Sequence, residues 1–212
     1  METYVFDLDG TLLDTLDDLT AAVNFALVAC GLPVRTRGEV RSFVGNGIKT
    51  LIARAVGDAY VEKQSGALEI FKEYYGEHCL DKTKPYDGVK ELLAELVKRG
   101  KKLAVVSNKA DFATKKLCSR LFPEIPVAIG ENESAGIRKK PAPDSVLAAL
   151  QALGVTKEKA VYVGDSEVDI QTAAAVGVPC VSVSWGFKDR AFLLAHGATR
   201  IIHEPKELLD IE

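Results

Sequence analysis

The sequence is poor in the residues that staple or anchor a fold. Its four cysteines, Cys30, Cys79, Cys118 and Cys180, are scattered with no close pair. That spacing indicates neither a disulfide framework nor a zinc site, and it fits a reduced, intracellular protein. The three histidines, His78, His196 and His203, stand isolated and attract no role. No apolar run approaches the ~20 residues needed to span a bilayer. The first strand pattern begins almost at Met1, leaving no room for a signal peptide. No sign of charge dominates. The net charge is -3, so no basic field invites nucleic acid or an anionic membrane. Aromatics are only 7%, yet 47% of the 212 residues are hydrophobic. That is enough for one sizeable core, or one core with a modest insertion. A soluble cytoplasmic protein, monomeric or homodimeric, with no nucleic-acid or membrane partner, is the expectation.

What is present is a rhythm that changes once. Tyr4-Val5-Phe6 reads as a buried strand. From Thr15 to Thr83 the pattern is helical throughout. Leu16, Leu19, Ala22, Val23, Ala26 and Leu27 recur at helical spacing, with Thr15 as N-cap and Asp17 and Asp18 in the first turn. Further helices are expected over 36–43, 48–56 and 61–79. After Pro85-Tyr86-Asp87-Gly88, strands and helices alternate with short connections. Strands are expected at 103–106, 127–129, 160–163, 180–183 and 200–202. Helices are expected at 89–98, 111–121, 143–153, 169–176 and 191–196. Near-continuous apolar strands alternating with helices specify an α/β fold, a Rossmann-like parallel sheet wrapped by helices. The segment 15–83 reads as an inserted all-helical domain within a core made of 1–14 and 84–212.

In open parallel sheets, ligands bind beyond the carboxyl ends of the strands. The first strand ends in Asp7 and Asp9, two acids that repel unless a cation binds them, donors surround them or one of them holds a proton. The strand at 103 ends in Ser107-Asn108. The strand at 160 ends in Asp165, with Asp169 one helical turn further. Lys139 and Lys140 precede a stiff Pro141-Ala142-Pro143, and Lys140, beside Pro141, is the better candidate. Each element also has a plainer use. Asp165 and Asp169 could cap a helix, and Ser107-Asn108 could be a strand-end turn. Together they suit phosphoryl transfer. The acids make a site for a hard divalent cation, and a lysine and a hydroxyl orient phosphate oxygens. One carboxylate can be the nucleophile, and a second can move the proton. No Gly-x-x-x-x-Gly-Lys-Ser/Thr occurs, which argues against a P-loop nucleotidase.

Asp7-Leu8-Asp9-Gly10-Thr11, Ser107-Asn108, Lys140 before Pro-Ala-Pro, and Gly164-Asp165-Ser166-Glu167-Val168-Asp169 resemble the four motifs of the haloacid dehalogenase superfamily of phosphatases. They occur in the right order, and the resemblance covers nearly the whole chain. The helical insertion looks like that superfamily's C1-type cap domain. Phe43-Val44-Gly45-Asn46-Gly47 before a helix looks most like phosphoglycolate phosphatases. The resemblance implies Asp7 as nucleophile and Mg²⁺ ligand. It implies Asp9 as general acid/base, with its carbonyl on the metal. Thr11, Ser107, Asn108 and Lys140 would surround the phosphoryl group, and Lys140 would hold Asp7 charged. Asp165 would ligate Mg²⁺, and Asp169 would ligate it or orient its water. Gly45, Asn46, Gly47, Lys49 and Arg54 are the candidates for substrate contact from the cap, which would close over the substrate and exclude water. Dehalogenases look similar but lack the second aspartate.

The reaction so implied is Mg²⁺-dependent hydrolysis of a small phosphorylated metabolite through an aspartyl-phosphate, with 2-phosphoglycolate leading. A pyrophosphatase, a sugar-phosphate phosphatase or a phosphomutase of the same superfamily is the alternative. A signalling module phosphorylated on Asp7 without turnover is the alternative from another class. Such a module has no need of Asp9 or of a large cap.

Overall fold

The computed structural model describes residues 1–132 and 136–211. The chain forms two compact units, Met1–Leu13 with Pro85–Glu212, and Asp14–Lys84. Short strands β2 (Leu13–Asp14) and β3 (Lys84–Pro85) lie at the two crossings.

The larger unit is built on a parallel sheet of six strands. β1 (Thr3–Phe6) lies inside it, between β4 (Lys102–Ala110) and β6 (Ala160–Gly164). β5 (Val127–Glu131) flanks β4, and β7 (Cys180–Val183) and β8 (Ile201–Ile202) extend the other side. α5 (Val89–Lys98) and α6 (Asp111–Leu121) lead into and out of β4. α7 (Asp144–Leu153), α8 (Glu167–Val176) and α9 (Arg190–Ala195) complete the helices of this unit among the described residues. Side chains on a strand alternate faces. Val5 packs in one cluster with Val106, Tyr162, Val146 and Leu150 of α7 and Ala173 and Val176 of α8. Tyr4 and Phe6 alternate to the other face and stack, and the Tyr4 hydroxyl donates to the Ile211 carbonyl (3.3 Å).

The smaller unit contains α1 (Leu16–Ala29), α2 (Arg37–Phe43), α3 (Ile48–Val56) and α4 (Gln64–His78). The expected helix over 61–79 starts later, because Asp58–Lys63 is a 3-10 turn with Tyr60 at non-helical angles. Thr36 closes the α2 N-terminus by a capping box with Glu39. Thr15 occupies the N-cap of α1 but its side chain makes no capping bond. Asp14 does that work, its Oδ1 accepting from the Leu16 N–H (3.2 Å). Asp18 is buried rather than exposed to the helix dipole alone. It accepts the backbone N–H groups of Lys82 and Thr83, so it ties the two ends of the unit together. Among the described residues no helix is long and apolar enough to cross a membrane.

β1 stops at Phe6, as the sequence pattern indicates, and the Asp7 N–H still donates to the Val163 carbonyl (2.8 Å). One strand end differs from the sequence expectation. β4 runs on to Ala110, and its register against β5 shifts between Val106 and Ala110. Ser107 and Asn108 therefore lie inside an irregular strand rather than beyond its end. Period-two reading does not detect such an irregularity, because its cause is a register change against a neighbour.

Candidate active site

Beyond Asp7 the chain turns sharply. The Leu8 carbonyl accepts the N–H groups of Thr11, Leu12 and Leu13 (3.3, 3.0 and 3.0 Å). Gly10 occupies this turn at φ 87°, and a Cβ there would strike the Asp165 carboxylate. The turn thus needs glycine for its backbone and for the close approach of an acid.

Asp7, Asp165 and Asp169 are all buried, and each presents an oxygen within 4.8 Å of the others. Lys140 reaches into this cluster from the loop before α7. Its ammonium donates to Asp7 Oδ1 (2.8 Å), Asp169 Oδ1 (2.8 Å) and the Tyr162 hydroxyl (2.9 Å). Those three acceptors match the three donors of an ammonium. The Lys140 backbone is held as firmly as its side chain. Asn108 Oδ1 accepts its N–H (2.7 Å), and Asn108 Nδ2 donates to its carbonyl (3.0 Å). Asn108, expected at the phosphoryl group, directs its side-chain amide at the lysine loop.

Asp169 serves two structures at once. Its Oδ2 accepts the N–H and hydroxyl of Ser166 (3.1 and 2.6 Å), closing the start of α8. Its Oδ1 accepts from Lys140 and from Tyr162 (3.1 Å). Four donors on one carboxylate take up its roughly four lone-pair sites. Asp165 is placed by the loop that follows β7. The Phe187 N–H donates to Asp165 Oδ2 (2.6 Å), and a Cβ on Gly186 would collide with that side chain. Trp185 Nε1 donates to the Thr11 carbonyl (3.0 Å), which joins this loop to the first turn. The Thr11 hydroxyl lies 3.5 Å from Asp165 Oδ1.

Asp9 stands apart from this cluster. Its two oxygens accept from Lys109 Nζ at 3.0 and 3.1 Å. Lys109 is buried, with its side chain only 2% exposed. Ser107, also buried, accepts the Lys109 N–H (3.3 Å). Lys109 and Tyr162 were missed in the sequence. A lysine after Ser-Asn reads as surface charge, and a tyrosine in Val-Tyr-Val reads as strand packing. The Tyr162 hydroxyl has a measurable weight. Tyr162→Phe strips one acceptor from a buried ammonium, and it is expected to lower unfolding free energy by ~1–3 kcal/mol in urea titration.

The charges do not balance. Three carboxylates face the Lys140 ammonium. Burial pushes Asp7 up to about 7; Lys140 pulls it down, and Asp169 and Asp9 push it further up. Burial likewise holds Asp165 well above the usual carboxylate range, with Asp169 and Asp7 adding to it. Burial pulls Lys140 down, but Asp169 and Asp7 outweigh it and hold the ammonium well above its ordinary value. Lys140 alone therefore does not neutralise Asp7. The deficit of two charges in an all-oxygen cluster fits one hard divalent cation.

The cap candidates lie in the helical unit. Gly47 is the N-cap of α3, with φ 81°, and Gly45 also has positive φ. Lys49 is in the first turn of α3. Arg54 is engaged locally, its Nη1 donating to the Phe43 carbonyl at the end of α2 (2.9 Å).

With this geometry in place, the comparisons are specific. The chain belongs to the haloacid dehalogenase-like hydrolase family, whose model matches residues 4–183. A phosphoglycolate phosphatase of Aquifex aeolicus is 34% identical over 189 residues, covering 88% of this chain and 86% of that protein. An N-acetylmuramic acid 6-phosphate phosphatase of Pseudomonas aeruginosa is 32% identical over 213 residues, covering 100% and 94%. A crystal structure from Lactobacillus delbrueckii subsp. bulgaricus, provisionally named a phosphoglycolate phosphatase, is 38% identical. It superposes with a TM-score of 0.91 over 98% of this chain and 96% of that one.

Proposed function

We propose that this chain hydrolyses a small phosphate monoester, 2-phosphoglycolate first, through a phosphoryl group carried on Asp7. The observation that carries this reading is the separation of the two opening acids. Asp7 is bonded to Lys140 inside the carboxylate cluster, whereas Asp9 is bonded to Lys109. Acids with different surroundings take different roles. A carboxylate oxygen of Asp7 attacks phosphorus, and the ester P–O bond breaks. The leaving oxygen takes a proton from Asp9. Water then attacks the phosphoryl group, Asp9 takes its proton, and the bond to Asp7 breaks to release phosphate.

Asp7, Asp165 and the main-chain carbonyl of Asp9 would hold Mg²⁺, which when bound supplies positive charge to the phosphoryl oxygens. Asp169, with four donors already on it, acts by fixing Lys140 and the start of α8. Ser107 binds phosphoryl oxygens, and Lys140, its three donors taken by Asp7, Tyr162 and Asp169, holds Asp7 in place and adds positive charge beside the phosphoryl group. The Asn108 side chain, turned to the lysine loop, contributes by holding Lys140. Gly45, Asn46, Gly47, Lys49 and Arg54 in the helical unit remain the assignment for substrate choice.

The reading on 2-phosphoglycolate draws on the relatives of that name. The N-acetylmuramic acid 6-phosphate phosphatase, matched along the whole chain, favours a second reading on a sugar phosphate. A panel of 2-phosphoglycolate, N-acetylmuramic acid 6-phosphate, a hexose phosphate and pyrophosphate separates them. The expected result is the highest kcat/KM on 2-phosphoglycolate, by at least ~10-fold, with loss of phosphate release on chelation by EDTA. A sugar phosphate or pyrophosphate in first place would overturn the substrate. No release from any ester with Mg²⁺ present would overturn the phosphatase.

A further inference from the structure

We propose that Lys109 is a positioning residue for proton transfer, holding the Asp9 carboxylate in the orientation from which it serves the leaving oxygen. The inference rests on the reading of Asp9 as proton donor. Burying an ammonium is costly, and a lysine on a strand ordinarily lets its head reach water. Lys109 does the opposite. It lies where β4 loses its regular register, and its side chain is directed inward to Asp9. Two hydrogen bonds from one nitrogen, at 3.0 and 3.1 Å, engage both carboxylate oxygens. One bond would leave the carboxylate free to rotate about its last torsion, whereas two fix its plane.

The neighbouring residues divide the work. Asn108 clamps the Lys140 backbone, and Lys140 binds Asp7. Lys109 binds Asp9. The irregular stretch of β4 therefore places the nucleophile's partner with one residue and the proton donor with the next. A register shift that brings both sets of contacts inward has a use in the chemistry that a regular strand would not provide. An ion pair of purely structural value would weaken every reaction of the enzyme alike. A residue acting through Asp9 weakens only reactions that need a proton.

The dependence on leaving group tests this difference. With enzyme in excess, the first phosphoryl transfer is timed on an alkyl phosphate that the wild type turns over and on 2,4-dinitrophenyl phosphate. The dinitrophenolate leaves without protonation. Lys109→Met is expected to slow transfer from the alkyl ester by about 10–100-fold, less than the ~10²–10⁴-fold of acid catalysis itself, because Lys109 only positions the acid. Transfer from the dinitrophenyl ester is expected to change less than ~3-fold, because no proton is needed there. Asp9→Asn should show the same pattern, and the double variant should be no slower than Asp9→Asn alone. Equal losses on both esters from Lys109→Met, or additive losses in the double variant, would overturn the inference while Asp9 keeps its role. Equal losses on both esters from Asp9→Asn would overturn the reading of Asp9 and the inference with it. If Lys109→Met does not fold, Lys109→Arg and Lys109→Gln carry the same comparison. The arginine variant, which retains the charge and two donors, is expected to keep the smaller loss.

Discussion

Asp7→Asn is expected to lower kcat by roughly 10⁴-fold or more, about 5.5 kcal/mol of transition-state stabilisation at ~1.36 kcal/mol per decade. The amide keeps the shape of the carboxylate but has no lone-pair charge with which to attack phosphorus. The same change is expected to stabilise the metal-free protein. Burial, Asp169 and Asp9 act against charge on Asp7, and Lys140 offsets them incompletely. A group whose folded pKa lies above its unfolded value makes its charged form a cost to folding once pH passes the unfolded value. A neutral amide removes that cost, and loses only the charge assistance of the bond to Lys140. The net gain at pH 7 in EDTA is expected to be about 1–3 kcal/mol. Urea titration reads the stability, and acid-quenched phosphoenzyme with phosphate release reads the chemistry. An active and equally stable variant would remove Asp7 from both roles. Opposed changes in stability and activity would mark a site whose acids are grouped for chemistry at the expense of the fold.

Much of this arrangement was legible because apolar runs end abruptly in polar residues. Tyr4-Val5-Phe6 before Asp7, and Val161-Tyr162-Val163-Gly164 before Asp165, announce strands with acids at their carboxyl ends. The stiff Pro141-Ala142-Pro143 pointed to Lys140. What the period of two does not encode is register against a neighbour. It placed Ser107-Asn108 beyond a strand that in fact continues to Ala110. For the same reason Lys109 escaped notice, since its inward direction comes from that irregular segment. Tyr162 escaped for a different reason. Its ring satisfies the apolar pattern of β6, and its hydroxyl finds Lys140 only once the chain is folded. Residues with one apolar and one polar end are read by the end that fits the pattern. Gly186 and Phe187 contribute through backbone, an N–H on Asp165 and the absence of a Cβ, which residue type signals weakly. At Thr15 the sequence offered a cap, but the neighbouring Asp14 carboxylate reaches the orphan N–H instead.

Lys140→Met is expected to be the most damaging single change to stability and activity together. The Lys140 side chain is 3% exposed, and its ammonium joins Asp7, Asp169 and Tyr162. Its removal leaves three buried acids with no ammonium among them and deprives Asp169 of a donor. Breaking a buried ion pair from one side costs ~3–5 kcal/mol, because the abandoned charge stays buried. On the proposed mechanism, phosphoryl transfer would lose the positive charge that holds Asp7 beside the reacting group, with an expected fall in kcat of about 10²–10³-fold. The two losses separate in a Mg²⁺ titration. A Mg²⁺ ion held by Asp7 and Asp165 would restore positive charge there, so the unfolding midpoint of the variant is expected to recover with Mg²⁺ more than that of the wild type. It does not replace the ammonium between Asp7 and Asp169, so kcat is expected to stay low at saturating Mg²⁺. Recovery of both would reduce Lys140 to a counter-charge. Recovery of stability alone assigns it the orientation of the nucleophile and its phosphoryl group.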